Sequence, residues 1–482
     1  MLAEQRVTNG EARAGSIFDD LERYGDQLAL IDQDQYFTYK DLISQADVLG
    51  AMVTPRTLAL VVCSNTFESV AAYVGLSRAG VVPMLMPSTM TASQLLRIVD
   101  TFQPAYVATS AKMSDELSSV IMLNQLGDMS LYRNTNAAKV DIHNDLALML
   151  STSGSTGSHK FVRLSFANLW SNTDAISDFL GVQPDDRAIT TMPMSYTFGL
   201  SILNTHLTTG ASVIMTEEPM IGKSFWQQVQ NHRATTFGGV PFIYEMLRKL
   251  RFGAMDLPSL RYITQAGGRL APEIATEFAE QCGEKGIHFV TMYGQTEATA
   301  RMSYVPAKHA IDKAGSIGIP IAGGTFWIKD DDGNKVASSA IPGELMYEGP
   351  NVSLGYAETT NDLMRGDDNK GVLATGDIAC FDDDGYFQIV GRKKRFLKIY
   401  GYRVNLDEIE EQLQSAGFEC ACVGEDDALA IFVVNDDSDR VKQHVTQSTT
   451  VNARAIQVHK VDTIPRNPSG KVLYPELQRM LG

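Results

Sequence analysis

The sequence predicts an α/β protein: a large N-terminal domain of two doubly wound α/β sheets plus a β-rich subdomain, then a small, mobile α+β C-terminal domain. Three observations carry this. Apolar runs of strand length alternate with amphipathic runs of helix length over the first 110 residues, and the alternation recurs between residues 145 and 300. After Pro306 the texture changes to short strands joined by Asp-Gly turns, Asp332-Gly333 and Asp384-Gly385, which signal hairpins.

Segments 26–31 and 36–39 read as a hairpin, and 39–52 as a helix with Leu42, Ile43, Ala46, Leu49 and Met52 on one face. The unbroken apolar run 58–63 is a strand. Asn65 or Thr66 caps a helix through Ala79, which Gly80 ends; strand 81–86, helix 91–102 and strand 105–109 follow. The second set comprises strands 146–150, 211–215 and 288–292 with helices such as 225–232 and 242–250. Beyond the basic cluster from Arg392 to Lys398 come a helix over 405–416, strands 421–423 and 428–434, and a final helix. A hinge at that cluster divides the chain into domains of residues 1–391 and 392–482.

Composition narrows the function classes without naming one. With 44% hydrophobic and 20% charged residues in 482, the chain is neither disordered, collagenous nor coiled-coil. Forty-one basic against 57 acidic residues give a net charge of −16, which repels polyanions and argues against nucleic acid as a partner. Five scattered cysteines argue against a disulfide framework and fit a reducing, cytoplasmic setting. Cys420-Ala-Cys422 reads as alternate faces of a strand rather than half a zinc site. The N-terminal stretch carries Glu4 and Glu11 and has no apolar core of a signal peptide. Residues 188–216 contain no Lys, Arg, Asp or Glu, yet Pro193, Gly199, Asn204, His206 and Gly210 interrupt them. A buried α/β segment is expected there, and no membrane span.

Four stretches carry chemistry. Ser151-Thr-Ser-Gly-Ser-Thr-Gly-Ser-His-Lys160 follows an apolar strand; its glycines let backbone N–H groups converge on an anion, its hydroxyls add donors, and its lysine adds charge. It is not a Walker A loop, because Lys160 does not directly follow Gly157, and Ser/Gly clusters also occur in linkers. Tyr293-Gly-Gln-Thr-Glu297 lies at the carboxyl end of a strand, where open α/β sheets place ligands; it offers a ring to stack on a base, a hydroxyl and a hard oxygen ligand for Mg²⁺. An acidic first helical turn would look the same. The third stretch is Thr375-Gly-Asp377 with the run from Gly391 to Arg403, and the fourth is Pro465-Arg-Asn-Pro-Ser-Gly-Lys471, a lysine on a constrained turn.

In this order, the stretches resemble the adenylate-forming superfamily of acyl-CoA synthetases, adenylation domains and luciferases. The resemblance runs from Phe37-Thr-Tyr-Lys-Asp-Leu42 and Ala79-Gly-Val-Val-Pro83, through Met192-Pro-Met-Ser-Tyr-Thr-Phe-Gly199, to Lys471. It implies that an acid is adenylated on ATP with release of pyrophosphate, then transferred to a thiol, coenzyme A or a carrier-protein phosphopantetheine. The roles follow by motif. Thr152, Ser153, Gly154, Ser155, Thr156, Gly157 and Lys160 would hold the outer phosphates; Thr296 and Glu297 would serve the α-phosphate and Mg²⁺. Tyr293 and Gly294 would meet the adenine beside Gly267 and Gly268, and Asp377 and Arg392 would grip the ribose. Lys471 would bridge the carboxylate and α-phosphate, Lys394 would be the hinge, and Lys398 with Gly401 would enter for the second step. Tyr196, Phe198, Gly199 and Val240, with Phe242 beside them, would line an apolar acid pocket.

Departures from the family pattern bear on the substrate. His159 stands where the family often has Pro, and Tyr196 where acyl-CoA synthetases often carry His. Ser195-Tyr-Thr-Phe-Gly lacks the Asp with which peptide-synthetase domains hold an α-amino group, which disfavours an amino acid. The other readings are adenylation with transfer to an amine or no thioester step, or a degenerate binding or scaffold homologue. Charged groups at Lys160, Glu297, Asp377, Arg392 and Lys471 count against the scaffold.

Overall fold

The computed structural model describes residues 15–151, 160–399, 402–434, 437–449, 451–467 and 470–481. Among these, two large mixed sheets form the body. The first runs in the order Gly355–Ala357, Phe161–Ser165, Leu146–Ser151, Val82–Pro87, Leu58–Cys63, Tyr106–Ser110, Met129–Asn134 and Val120–Leu126, with the four strands from Leu146–Ser151 to Tyr106–Ser110 parallel. The second runs Ile319–Pro320, Ser303–Tyr304, His288–Tyr293, Tyr262–Gln265, Thr236–Gly239, Arg187–Ile189, Ser212–Met215, Leu28–Asp32 and Gln35–Thr38. Its strands from His288–Tyr293 to Leu28–Asp32 are parallel. Antiparallel strands cap both ends of each sheet, so the doubly wound centres do not end on bare parallel edges.

The sequence-based grouping of strands needs one correction. The first hairpin, expected to open the first sheet, pairs Leu30 with Val213 in the second, and Leu146–Ser151, expected in the second, pairs with Val82–Pro87 in the first. Hydrophobic periodicity selects strands; it carries no information about which distant strand is the partner. Helix Phe67–Arg78 explains the tight join between the sheets: Val70 to Leu76 are buried all round, and Gly75 approaches Ala46 so closely that a Cβ would lie 2.4 Å from its carbonyl oxygen.

The uncharged stretch after Ala188 forms strand Arg187–Ile189, helix Thr197–Thr209 and strand Ser212–Met215. Its helix is buried along almost its whole length, and its hydroxyls return to carbonyls of the preceding turn, Thr205 to Ser201, Thr208 to Asn204 and Thr209 to Thr205, at 2.8–2.9 Å. Among the described residues, no helix is long and apolar enough to cross a membrane.

A four-stranded antiparallel sheet, Thr325–Lys329, Gly343–Glu348, Val372–Phe381 and Phe387–Arg392, follows, with the Asp384-Gly385 turn closing its last hairpin and Gly385 at φ +80°. The C-terminal residues build their own apolar core on strands Cys420–Glu425, Ala428–Val434 and Ile456–Val461. Helix Ser438–Ser448 and the last of these strands escaped the sequence reading: the helix is polar on most positions, with Val441 and Val445 buried. Cys420 and Cys422 are corrected as well. A strand repeats every two residues, so both point into one core, while Ala421 faces another.

A buried ionic cluster holds this C-terminal unit. Arg395 donates to Asp407 at 2.7 Å, to Glu410 at 2.6 Å and to the Cys422 carbonyl at 2.6 Å, and lies 3.8 Å over the Tyr474 ring, whose hydroxyl donates to Glu410. Burial pushes the Glu410 carboxyl up, against the pull of Arg395. Arg395→Met strands that carboxylate without its cation and is expected to cost about 3–5 kcal/mol. Urea unfolding, with hydrogen exchange at 420–434, measures it; unchanged protection there would exclude the cluster as the clamp.

Candidate active site

The site assembles where strands of both sheets end. Strand His288–Tyr293 delivers Tyr293, and the chain then turns through Gln295 into a short 3-10 helix, Thr296–Ala298. Gly294 is required there for close approach, since a Cβ would sit 1.8 Å from the Ala300 carbonyl oxygen. Tyr293 donates its hydroxyl to Asp377 at 2.5 Å, and Gln295 donates to the same carboxylate oxygen at 3.0 Å and to the Thr375 carbonyl at 3.0 Å. The other Asp377 oxygen lies 3.3 Å from Arg392 Nε, across the register pair that joins strands Val372–Phe381 and Phe387–Arg392. Asp377 is buried while Arg392 is 59% exposed. Burial raises the Asp377 carboxyl above its ordinary range, and Arg392, Tyr293 and Gln295 pull the other way.

Glu297 accepts from the Tyr356 hydroxyl at 2.6 Å through Oε1, and among the described residues Oε2 has no side-chain partner. Tyr356 pairs with Val162 where Gly355–Ala357 lies beside Phe161–Ser165, the strand that begins just after Lys160. The Lys160 ammonium sits 3.9 Å over the Tyr356 ring and 3.4 Å from Glu358. Tyr356 therefore joins two groups, Lys160 and Glu297, that lie 137 positions apart in sequence (297 less 160). Buried Arg163 anchors its strand, donating to the Tyr356 and Leu354 carbonyls and to Asp368 at 2.6–3.1 Å. Thr152, Ser153, Gly154, Ser155, Thr156, Gly157 and His159 lie outside the described residues.

The acid-pocket residues cluster as expected in part. Tyr196 caps helix Thr197–Thr209, and Phe198 and Val240 are buried with Met192, Ala266, Val290 and Met292. Gly267, at φ +82°, brings the backbone against the Tyr196 hydroxyl and Val240, and Gly268 lies against Pro241. Two expectations shift. A Cβ on Gly199 would point 2.4 Å from the Pro193 carbonyl oxygen, so Gly199 serves backbone approach rather than lining. Phe242 is 44% exposed and meets the turn at Gly470. The reason is helical phase: Val240 precedes helix Pro241–Lys249 and points in, and Phe242 at its second residue does not.

That turn carries Lys471. Asn467 organises it, accepting from the Lys471 N–H through its side chain at 2.9 Å and donating its N–H to the Lys471 carbonyl at 2.9 Å. The Lys471 ammonium lies 5.7 Å from the centre of the Tyr196 ring. The C-terminal unit is held in this position by a two-pronged ion pair, Arg269 to Glu411 at 2.7 and 2.9 Å, and by Lys393 to Glu344 at 3.0 Å. Lys394 sits in the 3-10 turn Lys393–Arg395, and Lys398 in strand Phe396–Ile399, paired to Arg403; Gly401 is outside the described residues.

One contact ties the parts together. Thr197, between Tyr196 and Phe198 in sequence, and Thr296 beside Glu297 share a hydrogen bond of 2.8 Å between hydroxyls. Sequence reasoning missed Thr197, Gln295, Tyr356 and Arg301 as site residues; Gln295 and Thr197 lay inside motifs already singled out, but Tyr356 and Arg301 carry no local signal. Arg301 is 2% exposed, lies 4.1 Å over the Phe198 ring, and is pushed down by burial to about 9.

The same architecture is seen in the O-succinylbenzoate coenzyme A synthetase of Bacillus subtilis in complex with AMP, at a TM-score of 0.79 and 21% identity, over 96% of this chain and 98% of that one. ATP-bound MatB of Rhodopseudomonas palustris matches at 0.79 and 22% identity, over 96% and 98% of the two chains. These matches give the fold, and a family model over most of the chain gives the class, an adenylate-forming enzyme. The chain belongs to the AMP-binding enzyme family, whose model matches residues 17–357. In sequence it is similar to a 2-succinylbenzoate–CoA ligase of Bacillus cytotoxicus, 27% identical over 438 residues covering 87% of this chain and 88% of the relative. It is also similar to a long-chain-fatty-acid–CoA ligase of Yersinia pestis, 29% identical over 72% of this chain but 64% of that one.

Proposed function

We propose that this protein activates a carboxylic acid with ATP, forming an acyl-adenylate and pyrophosphate, and transfers the acyl group to the thiol of coenzyme A. The observation that carries this reading is the Thr197–Thr296 contact with Lys471 beside Tyr196. It brings Thr197, next to Tyr196 and Phe198, against Thr296 beside Glu297, a hydroxyl–carboxylate pair suited to phosphate and Mg²⁺, with the Lys471 ammonium 5.7 Å from the Tyr196 ring.

A carboxylate oxygen of the acid attacks the ATP α-phosphorus while the bond to pyrophosphate breaks. The Lys471 ammonium is placed to offset charge on both reactants, an effect that counts most where water is excluded. Glu297 fits Mg²⁺, because one of its oxygens is free and Mg²⁺ ordinarily takes one or two carboxylates with phosphates and waters. That ion would supply charge neutralisation on the phosphates. Tyr356 orients Glu297, and Lys160, beside Tyr356, would serve the outer phosphates together with Thr152 to Gly157. Asp377, held by Tyr293 and Gln295, accepts from the ribose, with Arg392 alongside, and the Tyr293 ring with Gly294, Gly267 and Gly268 frames the adenine. In the second step the thiol sulfur attacks the acyl carbonyl and AMP leaves. For this step residues 392–482 turn about Lys394, so that the segment from Lys398 to Gly401 replaces Lys471. Coenzyme A is the favoured acceptor over a carrier-protein phosphopantetheine, since the relatives named above are CoA ligases.

ATP–pyrophosphate exchange over a panel of carboxylic acids, followed by AMP release with coenzyme A or a loaded carrier protein, tests both halves. No exchange with any acid would overturn the reading. Asp377→Ala should raise the ATP KM about 10- to 100-fold, as removal of a charged hydrogen-bond acceptor costs about 1.5–3 kcal/mol. In the unaltered enzyme the ATP KM should also climb as pH falls through the raised Asp377 pKa, because protonation turns an accepting oxygen into a donor. An ATP KM that moves in neither experiment would remove Asp377 from the ribose site.

A further inference from the structure

Among the described residues, Arg301 is a buried cation without a counterion. Its backbone is pinned on both sides: its N–H donates to Asn172 at 3.3 Å, and its carbonyl accepts from Asn172 at 2.7 Å and Asn351 at 3.0 Å. Its guanidinium is served far less well. Among the described residues a single acceptor, the Ser201 hydroxyl, meets its five N–H donors, Nε is buried with no partner, and no carboxylate forms an ion pair with it. Ser201 itself is spent, donating to the Phe198 carbonyl at 2.7 Å.

The other two arginines buried to this degree among the described residues are treated differently. Arg163, equally buried, has Asp368 and three carbonyls; Arg395 has Asp407, Glu410 and a carbonyl. A fully buried charge left unpaired is costly, so this one points to a partner that arrives with a ligand. Position says which ligand. The guanidinium stacks on Phe198, which shares an apolar cluster with Tyr196, the two being residues proposed to line the acid site, while Lys471 approaches Tyr196 from the C-terminal turn. The apolar cluster of Phe198, Val240 and Met292 thus has two cations beside it, Arg301 over the Phe198 ring and Lys471 near Tyr196, one for the reacting carboxylate and one spare.

We propose that Arg301 anchors a second carboxylate, and that the acid this enzyme activates is a dicarboxylic acid whose far end pairs with the Arg301 guanidinium. The inference rests on the adenylation reading above. A planar guanidinium with several free donors suits a bidentate carboxylate, which a monocarboxylic acid with a methyl end cannot supply.

The test is pyrophosphate exchange with α,ω-dicarboxylic acids of three to eight carbons, each beside the monocarboxylic acid of equal chain length, on the enzyme and on Arg301→Met and Arg301→Lys. The expected result is a diacid preference in kcat/KM of at least tenfold for one or more lengths, falling to near one in Arg301→Met and partly kept in Arg301→Lys. The preferred diacid should raise the Tm of the unaltered enzyme and not that of Arg301→Met. Exchange with monoacids equal to or better than diacids at every length would overturn the anchor while leaving adenylation standing. A diacid preference that survives in Arg301→Met would overturn it too. Absence of exchange with every acid would overturn the adenylation reading and this one with it. A purely structural Arg301 would lower stability in the variants without moving the ratio.

Discussion

Lys471→Ala should abolish adenylate formation, lowering pyrophosphate exchange by at least about 10²–10³, while still allowing thioester formation from a supplied acyl-adenylate. The physical basis is that its ammonium, carried on the C-terminal turn, lies 5.7 Å from the Tyr196 ring. Removing one preorganised charge from a transition state costs about 2.7–4 kcal/mol. The turn itself should survive, because Asn467 bonds the Lys471 backbone and not its side chain. Lys398→Ala should do the reverse, and Lys394→Pro should trap one state. Burst measurements of pyrophosphate and of thioester separate the two steps. Equal loss of both in both alanine variants would leave a single fixed site as the simpler account and remove the proposed alternation.

The second large effect is expected at Glu297. Glu297→Gln keeps size and the hydrogen bond from Tyr356 yet removes the negative charge, so adenylation should fall by a factor on the order of 10²–10³ with binding of the acid retained. Tyr356→Phe isolates the orienting contribution. It leaves the carboxylate charged but frees it from a 2.6 Å hydrogen bond, and the loss should be smaller and should show as a higher Mg²⁺ requirement. Ordinary exchange in Glu297→Gln, or an unchanged magnesium dependence in Tyr356→Phe, would contradict these roles. The two substitutions are not expected to add, since they act through one contact.

The local elements of this protein are readable in its sequence because each is written in side chains a few positions apart. Leu58–Cys63 is a strand through its unbroken apolar run, and Thr91 with Gln94 caps helix Ala92–Phe102 in a reciprocal pair. The glycines of the Asp-Gly hairpins occupy the left-handed region that favours glycine. The order of motifs from Ser151 to Lys471 likewise carries the family, and with it the kind of reaction. Tertiary structure decided the rest, because its causes are long-range. Which sheet receives Leu28–Asp32 depends on Ser212–Met215, some 180 residues later. Tyr356 becomes a site residue only when Gly355–Ala357 pairs with Phe161–Ser165, and Phe242 leaves the pocket because the helix phase after Val240 turns it out. Arg301 shows the limit most clearly. Four positions after Glu297 it reads as any arginine would, and burial among Phe198, Ser201 and Asn172, from helices more than ninety residues earlier, makes its charge unusual. Side-chain pattern sets local backbone preference, whereas desolvation and pairing of charge are properties of a place that the folded chain alone creates.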